Sequence, residues 1–200
     1  MIVIAQLLFY DDKHVYELDG VKLPSVSEIL RFISREVYND ISQFTLDNAA
    51  ERGKAVHRAC EQILKYKECE ITDDNAGYIK AFVSFLKVNK VEPILIEKAL
   101  ANEKLGFAGT IDLYCGHEGI NTIIDIKTVS VVIKPLISAQ LNLYKMLLEH
   151  NNYTVGKLYC LQLKKDGKYT LYPVAINPTV ASACLTLHKA MEQKFDRGKI

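Results

Sequence analysis

The chain has 200 residues, 49% hydrophobic and 24% charged, enough for one globular domain with a sizeable core. A formal net charge of +1 leaves no overall basic excess of the kind that draws a protein to nucleic acid, so any basic surface must be local. No run approaches the roughly 18 uncharged apolar residues of a membrane span, and no repeat, low-complexity tract or Pro/Gly/Ser linker divides the sequence.

The apolar opening, Met1 to Tyr10, lacks a basic leader and meets Asp11-Asp12 at once. It reads as a strand over 2–9 rather than a signal peptide. Val15–Leu18 and Val21–Leu23 flank Asp19-Gly20, a hairpin turn signal. Pro24-Ser25-Val26-Ser27-Glu28 then starts a helix, with Ser25 and Glu28 spaced as a capping box. A second helix is expected over 47–67, its apolar stripe made of Ala50, Ala55, Val56, Ala59, Ile63 and Leu64. Gly53 inside it costs about 1 kcal/mol relative to alanine, which points to close packing there. A third helix is expected over 73–89, stopped before Pro93.

Three strands follow at 94–101, 106–115 and 121–127, the last two joined by a turn at Gly116–Gly119. A crossover helix over 135–149, strands at 154–163 and 168–175, and a helix over 179–195 complete the chain. That order predicts an α/β fold with a mixed central sheet flanked by helices, carrying an N-terminal hairpin and helical addition. It is read as a single domain over 1–200, with the hairpin and helices in 1–90 and the core in 91–200. Five scattered cysteines without a C-x-x-C favour neither a disulfide framework nor a zinc site, and place the chain in a reducing cytoplasm.

The most informative stretch is Gly109-Thr110-Ile111-Asp112 followed by Asp125-Ile126-Lys127. With a period of two, Asp125 and Lys127 share one strand face while Ile124 and Ile126 enter a core. Two carboxylates and an ammonium suit a divalent cation and an activated water, although Asp-x-Lys also suits a solvated face with a weak ion pair. His57 could add one nitrogen ligand, with Glu61 one turn on either orienting it or merely facing water. Glu97 falls on the preceding strand, as a further carboxylate or as a lysine's partner. Gln140 and Tyr144, at i and i+4, project together from the crossover helix. Arg31, Arg35, Arg52, Lys54 and Arg58 are candidates for a local basic patch.

Taken together, Arg52-Gly53-Lys54-Ala55-Val56-His57, Glu97, Gly109–Asp112, Asp125-Ile126-Lys127-Thr128 and Gln140-Leu141-x-x-Tyr144 resemble the PD-(D/E)xK nuclease superfamily, in its RecB-like and phage exonuclease branch. Pro24–Leu30 also looks like the segment that often opens such domains. The resemblance covers residues 24–144 and implies a restriction-endonuclease-like core and a metal-dependent DNA exonuclease acting in recombination, repair or end processing. His57, Asp112, Asp125 and the backbone carbonyl of Ile126 would hold Mg²⁺, replaceable by Mn²⁺, with Glu97 as a lesser candidate. Lys127 would orient the attacking water or stabilise the phosphate, its pKa lowered by desolvation and repulsion. Gln140 and Tyr144 would position the catalytic strand or the DNA.

Thr110-Ile111 stand where the superfamily motif has its proline, as is normal for this branch. Cys160 and Cys184 are too far apart for the C-terminal cysteine cluster of the iron-sulfur relatives, so no iron-sulfur cluster is expected. The implied partners are DNA and, for a phage-type enzyme in a host cytoplasm, further copies of the chain or a single-strand annealing protein, with no membrane. A structure-specific or single-strand endonuclease, an RNA-directed nuclease and a catalytically silent DNA-binding module are the alternatives on the same core.

Overall fold

A computed structural model of the chain describes residues 6–10 and 13–196. Among these, β1 (Leu7–Tyr10), β2 (Val15–Leu18) and β3 (Val21–Leu23) form a small antiparallel sheet. Asp19 and Gly20 turn β2 into β3 with φ of 49° and 81°, the left-handed pair that a tight hairpin requires. Residues 2–5 of the expected first strand and the Asp11-Asp12 turn lie outside the described residues.

Ser25 and Glu28 close the expected capping box and open α1 (Val26–Ile29). A short α2 (Arg31–Val37) follows. The next helix, α3 (Gln43–Tyr66), begins one turn before its expected start because Ser42 accepts from the Thr45 amide as N-cap. Its buried stripe is Val56, Ala59, Cys60 and Leu64. Ala50 and Ala55, expected inside, are exposed. The helix α4 (Ala76–Asn89) ends on Lys90 in the left-handed conformation, not at Pro93. Pro93 instead sits in the exposed start of an edge strand, beside a register shift, where a missing N–H costs no ladder bond.

The larger sheet runs β4 (Glu92–Asn102), β5 (Phe107–His117), β6 (Ile120–Lys127), β7 (Lys157–Leu163) and β8 (Tyr169–Val174) in that order. Only β6 and β7 are parallel, and the helix α5 (Lys134–His150) makes the crossover between them. After β8 comes α6 (Pro178–Asp196). The chain is therefore α/β, with a mixed five-stranded sheet flanked by helices and a separate hairpin sheet. No described helix is long and apolar enough to cross a membrane.

Two cores hold the layers together. Ile111, Tyr114, Ile123, Leu158 and Cys160 pack against α1, α5 and α6 on one face. Leu113, Cys115, Ile124, Ile126, Leu161 and Leu163 pack against α3 and α4 on the other. The face alternation of a regular strand breaks at one level. Ile111 and Tyr114, three apart, share a core, as do Leu95 and Leu100, five apart. Beyond that break, Ala99, Ala101 and Ala108 pack under the hairpin residues Tyr16 and Leu23. The hairpin and α3 thus lie on the same side of the sheet, over successive halves of β4 and β5.

Gly53 and Gly109 separate cleanly. A Cβ at Gly53 would meet only Thr128 Oγ1, at 3.8 Å, so close packing does not require that glycine, contrary to expectation. A Cβ at Gly109 would lie 2.9 Å from Val26 Cγ2, 3.0 Å from Tyr144 Cε1 and 3.2 Å from Leu147 Cδ1. Gly53→Ala should stabilise the protein by about 0.5–1 kcal/mol, whereas Gly109→Ala should destabilise it by about 1–3 kcal/mol through overpacking. Chemical denaturation of the two variants checks the opposite signs.

Candidate active site

The break in alternation falls on Asp112 of β5 and Glu97 of β4, which stand opposite each other between the paired Ile96–Leu113 and Lys98–Ile111. Glu97 has φ of 45° in mid-strand, a conformation that costs a non-glycine residue about 1–3 kcal/mol and that the surroundings must enforce. On the other side of β5, the ladder to β6 runs only from His117–Ile120 to Leu113–Ile124, so the strands part beyond it. Ile126 is thereby left without backbone partners on the β5 side.

Two side chains replace those partners. Asp112 Oδ2 accepts the Ile126 N–H at 2.7 Å, and His57 Nε2, from α3, lies 2.9 Å from the Ile126 carbonyl. A carbonyl only accepts, so Nε2 carries the proton. The other ring nitrogen, Nδ1, faces Glu97 Oε1 at 3.2 Å and Asp112 Oδ1 at 3.7 Å. Glu97, rather than Glu61, therefore orients His57; Glu61 is tied to Lys65 at 2.6 Å.

Asp125 and Lys127 share the α5 face of β6, as the period-two reading requires, while Ile124 and Ile126 enter the opposite core. Asp125 is 1% exposed. Its Oδ2 stands 2.7 Å from Lys127 Nζ in an ion pair, and its Oδ1 is buried without a hydrogen-bond partner. A buried carboxylate oxygen in that state is costly unless a proton or cation satisfies it. From α5, Gln140 Nε2 donates to the Tyr144 hydroxyl at 3.0 Å, so the i, i+4 pair projects together as expected.

These groups border a cleft of about 800 Å³ between the hairpin and α3. Its floor holds His57, Glu97, Asp112 and Lys127, with Gln140 and Tyr144 from α5 beside them. Asp125 lies behind Lys127, outside the lining. Of the five basic candidates, only Lys54 and Arg58 line the cleft; Arg31 pairs with Glu28 at 3.5 Å.

Among the described residues, the ligand atoms of His57, Glu97 and Asp112 lie within 4.8 Å of one another. Opposite ligands of a divalent cation with bonds of about 2.1–2.4 Å stand about 4.2–4.8 Å apart, so one ion could reach all three. The donor set, two carboxylates and an imidazole with the unsatisfied Asp125 nearby, fits a cation that takes oxygen and tolerates nitrogen.

Burial works against charge on every member, and the neighbours decide the outcome. For His57, desolvation pulls the pKa down, yet the Asp112 and Glu97 carboxylates outweigh it and raise the value to about 9. Burial raises Asp112, with the nearby Glu97 adding to the rise and His57 opposing it. Burial also raises Asp125 to about 6, against the pull of Lys127. Lys127 departs from expectation. Although desolvation lowers it, Asp125 and Asp112 hold its ammonium above the ordinary lysine range, so among the chain's own groups it stays charged. Tyr144 is pushed well above its usual range by burial and by Asp112 and Asp125, and so keeps its proton.

Sequence reasoning missed three supports. Tyr16, buried on β2, bonds Thr110 Oγ1 at 2.8 Å and ties the hairpin to the strand that carries Asp112. Burial pushes its hydroxyl up to about 12. Gln162 Nε2, opposite Lys127 in the β6–β7 register, donates to the Val129 and Ser130 carbonyls at 2.8 and 3.0 Å and anchors the loop after β6. The third is the left-handed conformation of Glu97, a residue the sequence offered only as a lesser carboxylate candidate. None carries a local sequence signal, because each depends on a partner from a distant element.

The sequence matches no family model and no curated protein. Among solved structures it is similar to one described as the crystal structure of SSO0001, with 15% identity and a TM-score of 0.42 over 82% of this chain and 75% of that one. The function therefore rests on the site itself.

Because the folded pKa of His57 lies above the ordinary value of 6.5, its stabilising contribution is complete below pH 6.5 and is lost as pH rises through about 9. Asp125, raised from 3.8 to about 6, loses its contribution as pH rises through that lower window. The ion-free protein should therefore melt at progressively lower temperature from pH 6.5 to 9. In Glu97→Gln, the imidazole NMR titration of His57 should move down in pH and this upper limb should flatten.

Proposed function

We propose that the chain is a metal-dependent nuclease that hydrolyses phosphodiester bonds in DNA, built on a PD-(D/E)xK-type core and acting as an exonuclease in recombination, repair or end processing. The observation that carries this reading is the meeting of His57, Glu97 and Asp112 at the floor of one cleft, with the Asp125–Lys127 pair beside them. These groups come from α3, β4, β5 and β6, and a solvated strand face would not draw them together. Mg²⁺, or Mn²⁺ in its place, would be held by His57, Asp112 and Glu97, with Asp125 and the Ile126 carbonyl as adjoining oxygen donors.

When bound, the ion supplies Lewis acidity at the phosphate and lowers the pKa of a coordinated water. The chain's own groups do the rest. Lys127 is a compact charge placed to stabilise the negative charge that builds on the phosphoryl oxygens as water attacks phosphorus and the P–O bond to the leaving group breaks. The protonated Tyr144 hydroxyl and the Gln140 amide offer donors to the same phosphate. Lys54, about one turn before His57, and Arg58, the residue directly after it, both line the cleft from α3 and draw in the flanking backbone.

Digestion of end-labelled linear and covalently closed circular DNA with Mg²⁺ or Mn²⁺ tests this directly. Linear DNA should be degraded from its ends, and Lys127→Ala should lower the rate by at least about 100-fold while DNA affinity changes little. Cutting of the closed circle would make the enzyme an endonuclease. Metal-insensitive binding without cleavage would leave a DNA-binding module.

A further inference from the structure

The hairpin wall of the cleft has no part in the hydrolytic chemistry, yet it is aromatic. Phe9 and Tyr16 are cross-strand partners, and their rings stack with centroids 4.6 Å apart and planes at 23°. His14 stands edge-on to both, at 5.5 and 5.6 Å. All three line the cleft, as does Tyr38 after α2. Tyr16 is fully buried and fixed by its bond to Thr110, so the platform is rigid, while Phe9 is only partly buried.

Across the cleft, Lys54 and Arg58 are exposed and make no ion pair among the described residues. Flat aromatic surface facing unpaired cations is the chemistry that binds single-stranded nucleic acid, with bases on the rings and phosphates on the cations. The volume agrees. A cleft of about 800 Å³ lies in the range for a drug-sized ligand, which is the scale of one or two nucleotides.

We infer that Phe9, stacked on Tyr16, forms a subsite for one unpaired nucleobase next to the acidic floor, with Lys54 and Arg58 holding the adjoining phosphates. This rests on the nuclease reading for its substrate class but not for its test, which needs neither metal nor cleavage. Polypeptides and free sugars fit less well, since neither offers a flat ring between two anionic groups.

The chain contains no tryptophan, so Phe9→Trp introduces a single indole reporter at the platform. In EDTA, a short oligothymidylate should quench its fluorescence on binding, and an abasic oligomer of equal length and charge should not. By anisotropy, the wild type should bind the thymidylate at least about fivefold tighter than the abasic strand. Phe9→Leu should erase that difference without weakening the abasic complex. Should Phe9→Leu fail to fold by circular dichroism, the quenching and the wild-type comparison decide alone. Equal wild-type affinity for both strands, or no quenching by bound thymidylate, overturns the subsite. DNA cleavage alongside either result would leave the nuclease reading standing, whereas base-dependent binding without cleavage in Mg²⁺ or Mn²⁺ would keep the subsite and remove the enzyme.

Discussion

The backbone amide of Ile126 is the pivot of the structure. Its N–H and C=O face a gap where β5 has parted from β6, and a buried peptide group without partners is too costly to persist. Asp112 takes the N–H and His57 takes the C=O. Both side chains are thereby fixed in position by a need of the backbone, before any ligand is considered. A carboxylate and an imidazole used as surrogate strand partners are rigid, largely desolvated and held close to a third acidic group.

That arrangement is electrostatically uneasy. Glu97 sits in a left-handed backbone conformation within a strand, Asp112 and Asp125 are buried carboxylates with raised pKa values, and Asp125 Oδ1 has no partner. In the chain by itself, the charged His57 and Lys127 relieve part of the repulsion. A divalent cation would relieve more of it. Mid-strand backbone strain beside buried carboxylates of raised pKa, all bordering one cleft, is the kind of clustering that marks a candidate functional site. The surrounding fold supplies the stiffness: two cores grip the sheet from opposite faces, and Tyr16 and Gln162 tie the hairpin and the loop after β6 to the strands at the site.

Much of the fold was legible in the sequence because it is governed locally. The capping box at Ser25 and Glu28, the Asp19-Gly20 turn and the face alternation of Ile124–Lys127 are set by neighbours within a few residues. The crossover helix followed from element order. Errors arose where a local rule met tertiary context. Ala50 and Ala55 fit a helical stripe, but Ala50 lies before the first buried residue of α3 and Ala55 faces away from the core beside the buried Val56. The end of α4 at Asn89 was read correctly, although a left-handed Lys90 stops the helix before Pro93 is reached. The candidate site was legible as residue types in order, and Asp112, Asp125, Lys127, His57, Gln140 and Tyr144 do converge. The break in alternation, the promotion of Glu97 from a lesser candidate to the residue that orients His57, and the positive shift of Lys127 were not legible. The first two follow from contacts between groups 14 to 69 positions apart, and Lys127 is held up by Asp125 on its own strand together with Asp112 from the neighbouring one.

The central claim is that these groups form a preorganised divalent-cation site, and calorimetric titration of the ion-free protein with Mn²⁺ near pH 7.5 tests it most directly. The wild type should bind about one ion per chain with release of about one proton, because a charged His57 must give up its proton to become a ligand. Asp112→Asn, whose amide oxygen can still accept the Ile126 N–H, should abolish most of the binding heat while retaining the fold. A wild type that binds no cation, or a folded Asp112→Asn protein that binds as tightly with the same proton release, would contradict it.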